Sequence, residues 1–154
     1  KTRAVTDEII RMTRLIEEAG DHGAQVIGFP ECYIPGHPYW YDFYVATDPI
    51  CTTFNVELFK NSVVVPSPAT EELGRAARRA HAWVVMGIAE KDSGSFGSIY
   101  NTQLFFSPDG TLVGKHRKLV PTIIILSLDT HSQSRCDVAI ICRYRLVRRP
   151  GALL

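Results

Sequence analysis

The stretch QVIGFPE (residues 25–31) decides the fold, because it contains a short apolar run that Pro30 stops. An apolar run of this kind is typical of a buried strand in a sheet that is covered on both faces. The residues before it, 6–19, carry apolar side chains at helical spacing. A helix that leads through a short loop into a buried strand predicts an α/β fold.

The segments that follow continue the alternation of helix and strand and then turn antiparallel. SPATEELGRAARRA (residues 67–80) predicts a helix with Ser67 as its N-cap and Pro68 at its first position. Further strands are predicted at residues 83–90, 100–107 and 112–117. The turn residues 108–110 (Pro-Asp-Gly) make the last two strands a hairpin. A short helix at residues 54–60 and an extended segment at residues 62–65 complete the pattern.

Composition indicates one globular domain without a nucleic-acid or membrane function. The chain has 154 residues, of which 45% are hydrophobic and 21% charged. A net charge of +1 gives no reason to expect nucleic acid or an anionic membrane as a partner. The chain has neither an apolar run that could span a bilayer nor the apolar stretch of a signal peptide, so we expect a cytoplasmic location.

Two charged residues that directly follow predicted strands are the candidate catalytic groups. Glu31 comes after the first strand and Lys118 after the last, 87 residues further on. Ligand sites in open α/β sheets lie beyond the carboxyl ends of strands, so both side chains could serve one site. A carboxylate there is a candidate general base, and a nearby ammonium favours its charged form. Taken singly, each has an ordinary alternative: a loop carboxylate that caps a helix or pairs with a lysine, and a solvated strand end.

Side-chain direction separates these candidates from their neighbours. Strand alternation puts Arg117 and Lys118 on opposite sides of the sheet, so at most one points into a given cavity. Cys32 adjoins Glu31, but its side chain is expected to point elsewhere. Cys32 and Cys51 are therefore predicted to be packing residues, and no Cys-x-x-Cys pair indicates a metal site.

Polar and aromatic residues near the two candidates have weaker predictions. Asn101 opens a predicted strand, and we expect its side chain to bond the backbone there. Tyr33 and Trp40 are the aromatic residues nearest to Glu31 and are candidates for a substrate pocket. Packing in the core or at a subunit contact is the alternative for both.

Three longer segments carry a family resemblance. FPECYIPGHPYW (residues 29–40) resembles the Phe-Pro-Glu segment of nitrilases, with its following Pro-Gly-aromatic stretch. The segment from residue 61 to residue 92 resembles the next helix and strand of the family. YNTQLFFSPDGTLVGKHRKLVPT (residues 100–122) resembles the hairpin that ends in the family's catalytic lysine. Residues 6–122 are thus similar to the nitrilase branch of the carbon-nitrogen hydrolases, with the motifs in the family's order.

This resemblance implies a fold, a reaction and two roles. The fold would be part of a four-layer αββα sandwich, formed by residues 1–122, without its first strand and its C-terminal half. The reaction would be hydrolysis of a small organic nitrile to a carboxylic acid and ammonia by a Glu-Lys-Cys triad, without metal or cofactor. Glu31 would be the general base, and Lys118 would stabilise the covalent intermediate. Family members tend to form homo-oligomers, so we expect the same here.

Residues 123–154 depart from this pattern. They carry five Arg and two Asp, whereas residues 1–122 have a net charge of −2, and the resemblance ends where they begin. Our hypothesis is that this basic tail is the product of a frameshift or mis-splice, and the alternative is a divergent paralogue with a genuine basic tail. Cys142 is the candidate nucleophile within it, but it lies only 24 residues after Lys118, closer than in the family, and a plain buried cysteine is the alternative. The chain is therefore predicted to lack its nucleophile.

Two other functions stay open at this point. The chain could be a catalytically inactive fragment or paralogue that binds nitrilase subunits. It could also be an amidase or a cyanide-hydratase relative. Only substrate screening separates the last two from a nitrilase.

Overall fold

The computed structural model describes residues 5–45, 47–95 and 97–119. In chain order the elements are α1 (Val5–Asp21), β1 (Val26–Gly28), a 3-10 helix (Tyr39–Asp42), α2 (Pro49–Asn61), α3 (Pro68–Ala80), β2 (Trp83–Lys91), β3 (Ile99–Phe106) and β4 (Leu112–Arg117). The predicted α/β class is confirmed, and so are the predicted first and third helices and the last three strands.

The strands form one sheet in the order β1-β2-β3-β4. β1 runs parallel to β2, and the connection between them contains α2 and α3. β2, β3 and β4 are antiparallel neighbours joined by short turns. The register pairs Ala89 with Asn101 and Gln103 with His116. Because directly paired residues project to the same side of a sheet, these residues share one face.

α1 and α3 lie together on the other face and form the core with it. The buried side chains come from both helices and from alternate positions of the strands: Met12, Ile16, Leu73, Val84, Met86, Ile88, Leu104 and Phe106. The two helices approach closely at Gly20, where a Cβ would lie 2.7 Å from the Cα of Ala80. Glycine is therefore required at this crossing, and the burial of apolar surface beneath it stabilises the fold.

In the described residues the second face of the sheet, which we call the open face, is covered only at one end, where α2 and the 3-10 helix lie beside the buried residues Ala89 and Asn101. Val26 is 64% exposed and its partner Trp83 is 46% exposed, although both lie in strands. The prediction of a buried strand at residues 25–29 is thus wrong in part. The strand is Val26–Gly28, and of its residues only Ile27, which faces the helices, is buried.

Local capping explains where two of the helices begin. α2 starts before the predicted residue 54, because the carboxylate of Asp48 accepts a hydrogen bond from the N–H of Ile50 at 2.9 Å. α3 begins as predicted after Ser67, whose N–H donates to the hydroxyl of Thr70 at 2.9 Å. Between the two helices, Val63 bridges to Glu90 at the edge of β2, as an extended segment would.

No helix in residues 5–45, 47–95 and 97–119 combines the length and the apolar character needed to cross a membrane.

Candidate active site

Glu31 lies in a four-residue bulge, residues 30–33, beside β2. Just before the bulge, the N–H of Phe29 donates to a β2 carbonyl at 2.8 Å. Just after it, the carbonyl of Ile34 accepts from a β2 N–H at 2.8 Å. The chain is therefore attached to β2 on both sides of Glu31, and the bulge projects over the open face.

Gly87 in β2 allows the bulge to lie directly on the sheet. A Cβ at this position would come 2.0 Å from the carbonyl oxygen of Pro30 and 3.1 Å from the Cα of Glu31. No side-chain carbon tolerates the first distance, so residue 87 must be glycine for the bulge to keep this position. The absence of a side chain at Gly87 therefore determines how close Glu31 lies to the sheet.

Lys118 reaches the same point from the end of β4. Its backbone N–H donates to the carbonyl of Asn101 at 2.8 Å, which continues the pairing of β4 with β3 by one residue. Its Nζ lies 2.7 Å from Oε1 of Glu31. The side-chain amide of Asn101 donates to the same oxygen. Arg117 points to the opposite face, as strand alternation predicted, and binds Glu90 there.

The ion pair borders a cavity of about 240 Å³ that opens to solvent. All the residues that line it have polar or charged side chains: Glu31, Asn101, Gln103, His116 and Lys118. The side chains of Glu31 and Lys118 keep 46% and 35% of their exposure, so a small molecule in this cavity could contact both. In the part of the chain that the structure describes, no group of three or more His, Cys, Asp or Glu is arranged to hold a metal ion.

The environment keeps Glu31 ionised. The hydrogen bond from Lys118 lowers the pKa of the Glu31 carboxyl, and the bond from Asn101 lowers it further. Partial burial acts in the opposite direction but is outweighed. At neutral pH the site therefore presents a carboxylate whose Oε1 accepts two hydrogen bonds, beside an ammonium group.

The structure does not bring Tyr33 and Trp40 to this cavity. Tyr33 packs against Phe29, with ring centroids 5.5 Å apart, and lies 5.9 Å from the guanidinium of Arg11. The indole N–H of Trp40 donates to Oδ1 of Asn55 at 3.2 Å. Within the described residues, both aromatic side chains therefore have packing and hydrogen-bonding roles away from Glu31.

The described cysteines are buried. Cys32 adopts a left-handed backbone conformation (φ 47°), and its buried side chain lies against β2, with Sγ 4.0 Å from the carbonyl oxygen of Ile88. Burial raises the pKa of its thiol to about 12. Cys51 is fully buried at the start of α2. Cys142, the candidate nucleophile of the sequence analysis, and the basic tail of residues 123–154 lie outside the described residues.

Sequence reasoning missed three of the cavity residues. Asn101 was expected to bond the backbone, but its side chain contacts Glu31. Gln103 and His116 were not considered as part of the site. The signal that could have found them is the alternation of strands, since Gln103 lies two residues after Asn101 and His116 two before Lys118. A hairpin register counted outward from the turn would have put all of these residues on one face.

Comparison with known proteins gives the family. A model of the carbon-nitrogen hydrolase family matches residues 2–127. A nitrilase of Bacillus sp. (strain OxB-1) is 41% identical over 114 residues, which are 74% of this chain and 32% of that protein. An aliphatic nitrilase of Rhodococcus rhodochrous is 42% identical over 110 residues, which are 70% of this chain and 28% of that protein. The chain thus spans about a third of the length of the nitrilases that it matches.

Solved structures agree on the fold. The structure of Saccharomyces cerevisiae Nit3, a member of branch 10 of the nitrilase superfamily, superimposes with a TM-score of 0.60 at 24% identity. The match covers 85% of this chain and 44% of Nit3, so the sheet and its helices correspond to part of that fold. From the match to its family model, and from relatives about 40% identical to it, we conclude that the chain belongs to the carbon-nitrogen hydrolase family and covers only the N-terminal part of a nitrilase.

Proposed function

We propose that Glu31 and Lys118 are the general base and the cation of a nitrilase site, which hydrolyses a small organic nitrile to a carboxylic acid and ammonia. The observation that carries this proposal is the 2.7 Å contact between Lys118 Nζ and Glu31 Oε1 beside an open polar cavity. The nitrilases among the relatives support the substrate class, and the aliphatic nitrilase of R. rhodochrous favours an aliphatic nitrile.

The reaction needs a cysteine thiol, a base and a group that stabilises negative charge on nitrogen. The base takes the thiol proton while sulfur attacks the nitrile carbon, and the π electrons move to nitrogen, which takes up the proton. A first water then adds to this thioimidate, and ammonia leaves to give a thioester. A second water releases the carboxylic acid and restores the thiol. Two waters are consumed for each nitrile, and the atoms balance.

The hydrogen bonds of Glu31 suit it to be the base. Lys118 and Asn101 both donate to Oε1, so they fix the orientation of the carboxylate. Within the described residues Oε2 accepts no hydrogen bond, which leaves it for the thiol proton. The ammonium of Lys118 would stabilise the charge that develops on the nitrile nitrogen, as a fixed cation at the reacting atom does.

Neither described cysteine suits the nucleophile. Cys32 is buried with a pKa of about 12, and Cys51 has no contact with the cavity. The thiolate is the reactive form, so a thiol in either setting attacks poorly. The nucleophile would therefore come from outside the described residues, and we propose that the chain as given is inactive.

The first experiment uses the chain alone. Purified protein is incubated with a panel of aliphatic and aromatic nitriles, and ammonia is measured. We expect no ammonia above background. Turnover that is abolished by Cys142→Ala would instead mean that the chain carries its own nucleophile.

The second experiment supplies the missing part. In a chimaera, residues 6–119 replace the matching segment of the Bacillus nitrilase, which contributes the rest of the domain. We expect nitrile hydrolysis, lowered about 10²–10⁴-fold by Glu31→Gln or Lys118→Met. Glu72→Gln on α3 is the matched control, because Glu72 pairs with Arg75 and Arg79 on the surface and should leave turnover unchanged.

Two outcomes decide the proposal. A folded chimaera in which Glu31→Gln keeps full activity would show that this carboxylate is not the base. Primary amides are tested in parallel, and a chimaera that hydrolyses amides but no nitrile would overturn the nitrilase assignment.

A further inference from the structure

A second charged cluster lies on the helix-covered face, directly behind the site. Its centre is Glu90, whose side chain is only 2% exposed. The guanidinium of Arg117 donates to both carboxylate oxygens, at 3.0 and 2.8 Å. Lys115 Nζ donates to Oε1 at 2.6 Å, and the hydroxyl of Thr102 donates to Oε2 at 2.7 Å. One carboxylate of β2 thereby binds side chains of β3 and β4.

Arg117 is the link between this cluster and the site, because Lys118 follows it in the chain. The guanidinium also donates to Asp92 at 2.9 Å and lies 3.7 Å from the ring centroid of Tyr100. Three neighbours, Glu90, Asp92 and Tyr100, therefore hold the side chain of Arg117 in place. The backbone of the next residue has little freedom left.

On the face that borders the cavity, Lys118 makes two contacts. The N–H of Lys118 bonds the carbonyl of Asn101, and its Nζ bonds Glu31. In the described residues, β4 is the outer strand and pairs only with β3. The last residues of an outer strand fray readily, and ordering a lysine side chain costs conformational entropy. An anchor on the opposite face would keep the end of β4 from fraying.

We propose that Glu90 is a positioning residue, which clamps Arg117 from behind the sheet and so holds Lys118 at the distance where it pairs with Glu31. The proposal rests on the proposed function in assigning a catalytic role to Lys118. The clamp itself concerns the Glu31–Lys118 pair, and it can be measured without turnover.

The titration of Glu31 provides the readout. The carboxyl carbons of the glutamates are labelled with carbon-13 in the full chain, and the Glu31 signal is followed against pH in the wild type, Glu90→Gln and Lys118→Met. Lys118→Met defines the midpoint of Glu31 when the pair is absent. We expect Glu90→Gln to move the midpoint upward by at least half of that difference.

The sign of the shift separates positioning from a direct charge effect. Removing the negative charge of Glu90 acts through space to lower the pKa of another carboxyl, since a repelling charge is gone. Loss of the contact with Lys118, which lowers this pKa most, raises it, and loss of the weaker bond from Asn101 raises it less. The other titratable groups near Glu31 within the described residues are His37 and His116, and both are unchanged in these variants. An upward shift of at least half the Lys118→Met difference therefore reports that Lys118 has moved away.

Controls address folding. Glu72→Gln removes a carboxylate from a surface ion-pair network on α3 and should leave the Glu31 midpoint at the wild-type value. If Glu90→Gln loses its dispersed amide spectrum, Arg117→Lys keeps the charge but not the two-pronged bond, and it should give a smaller upward shift. A folded Glu90→Gln or Arg117→Lys with an unchanged or lowered midpoint would overturn the clamp.

The two proposals fail separately. If the titration contradicts the role of Glu90, the dependence of the chimaera's activity on Glu31 can still be observed. If the chimaera does not hydrolyse nitriles, the effect of Glu90 on the titration of Glu31 still stands.

Discussion

Glu31 and Cys32 are neighbours in the chain, but their side chains enter opposite environments. Glu31 lies over the open face, where a lysine and an amide keep its carboxylate charged. Cys32 turns into the left-handed region, and its side chain is buried against β2, 2% exposed. The positive φ of Cys32 therefore accompanies a change from the exposed carboxylate of Glu31 to a buried thiol at the next residue.

This difference predicts the chemical reactivity of Cys32. A thiol with a pKa of about 12, against an ordinary 9.0, holds roughly a thousandfold less thiolate near pH 8. We expect iodoacetamide to leave Cys32 unmodified in the folded chain and to modify it fully in concentrated guanidinium chloride. Peptide mapping by mass spectrometry measures both. Equal modification in the two conditions would mean that the thiol is accessible and not buried.

The elements around the site act through close backbone contact as much as through side chains. β2 is the common support: β1 and Ile34, which lie before and after the bulge, pair with one edge of it, and β3 pairs with the other. Gly87 and Glu90 lie in this strand, one facing the bulge and the other facing the helices. A change in β2 is therefore transmitted to both halves of the site.

Gly87→Ala tests the contact with the bulge. The added Cβ would overlap the carbonyl oxygen of Pro30, so the bulge must move or the strand must bend. We expect a loss of about 1–3 kcal/mol in the free energy of unfolding, measured with urea. Gly28→Ala in β1 is the matched control, because a Cβ there meets nothing within 4 Å and should cost little. Equal effects of the two substitutions would show that the bulge does not rest on Gly87.

The Glu90 cluster predicts a dependence of stability on pH. Burial raises the pKa of Glu90, but the hydrogen bonds from Arg117, Lys115 and Thr102 outweigh it, and the pKa lies below the ordinary 4.5. The folded state then binds a proton less readily than the unfolded state, so this stabilisation is present above pH 4.5 and is lost as the pH falls further.

We therefore expect Glu90→Gln to lower the free energy of unfolding by about 1–3 kcal/mol at neutral pH. The difference from the wild type should shrink as the pH falls below about 4.5. Urea unfolding at a series of pH values measures it. Glu72→Gln on the surface of α3 should change stability by less than about 1 kcal/mol at neutral pH. A difference for Glu90→Gln that stays constant into acid would contradict an ionised Glu90.

For the whole molecule, the main feature is a sheet whose second face is covered only in part by the described residues. The polar half of the open face holds the site, and the other half exposes apolar side chains such as Val26 and Trp83. Exposed apolar patches of this kind favour association.

Trp83→Lys tests the apolar half. Trp83 is 46% exposed, so the substitution should reduce self-association in sedimentation experiments while it changes thermal stability little. Val84→Lys is the control for the covered face, since Val84 is fully buried and a charge there should unfold the chain. If Trp83→Lys unfolds the chain as well, this end of the sheet is not a free surface.

The sequence predicts the elements better than it predicts their environment. The apolar run before Pro30 and the Pro-Asp-Gly turn identify β1 and the hairpin, because strand and turn preferences are local. Burial of β1 was overestimated, since the covering of Val26 depends on what packs against the sheet. The positions of Glu31 and Lys118 at strand ends predict that these two residues meet. The contact of Asn101 with Glu31 depends on the register of β2 and β3, which the sequence does not give. The Glu90 cluster requires side chains from three strands, so it could not be predicted from any one of them.

The topology also has a consequence for the order of folding. β2, β3 and β4 follow one another with short turns, so this meander has a low contact order, whereas β1 must return to β2 across more than fifty residues. Closing a long loop costs more entropy than closing a turn, so the meander should form early and β1 should join it late. Lys118 would then be in place before the segment that carries Glu31 joins the sheet. The ion pair between the two residues would therefore form in the last step of folding.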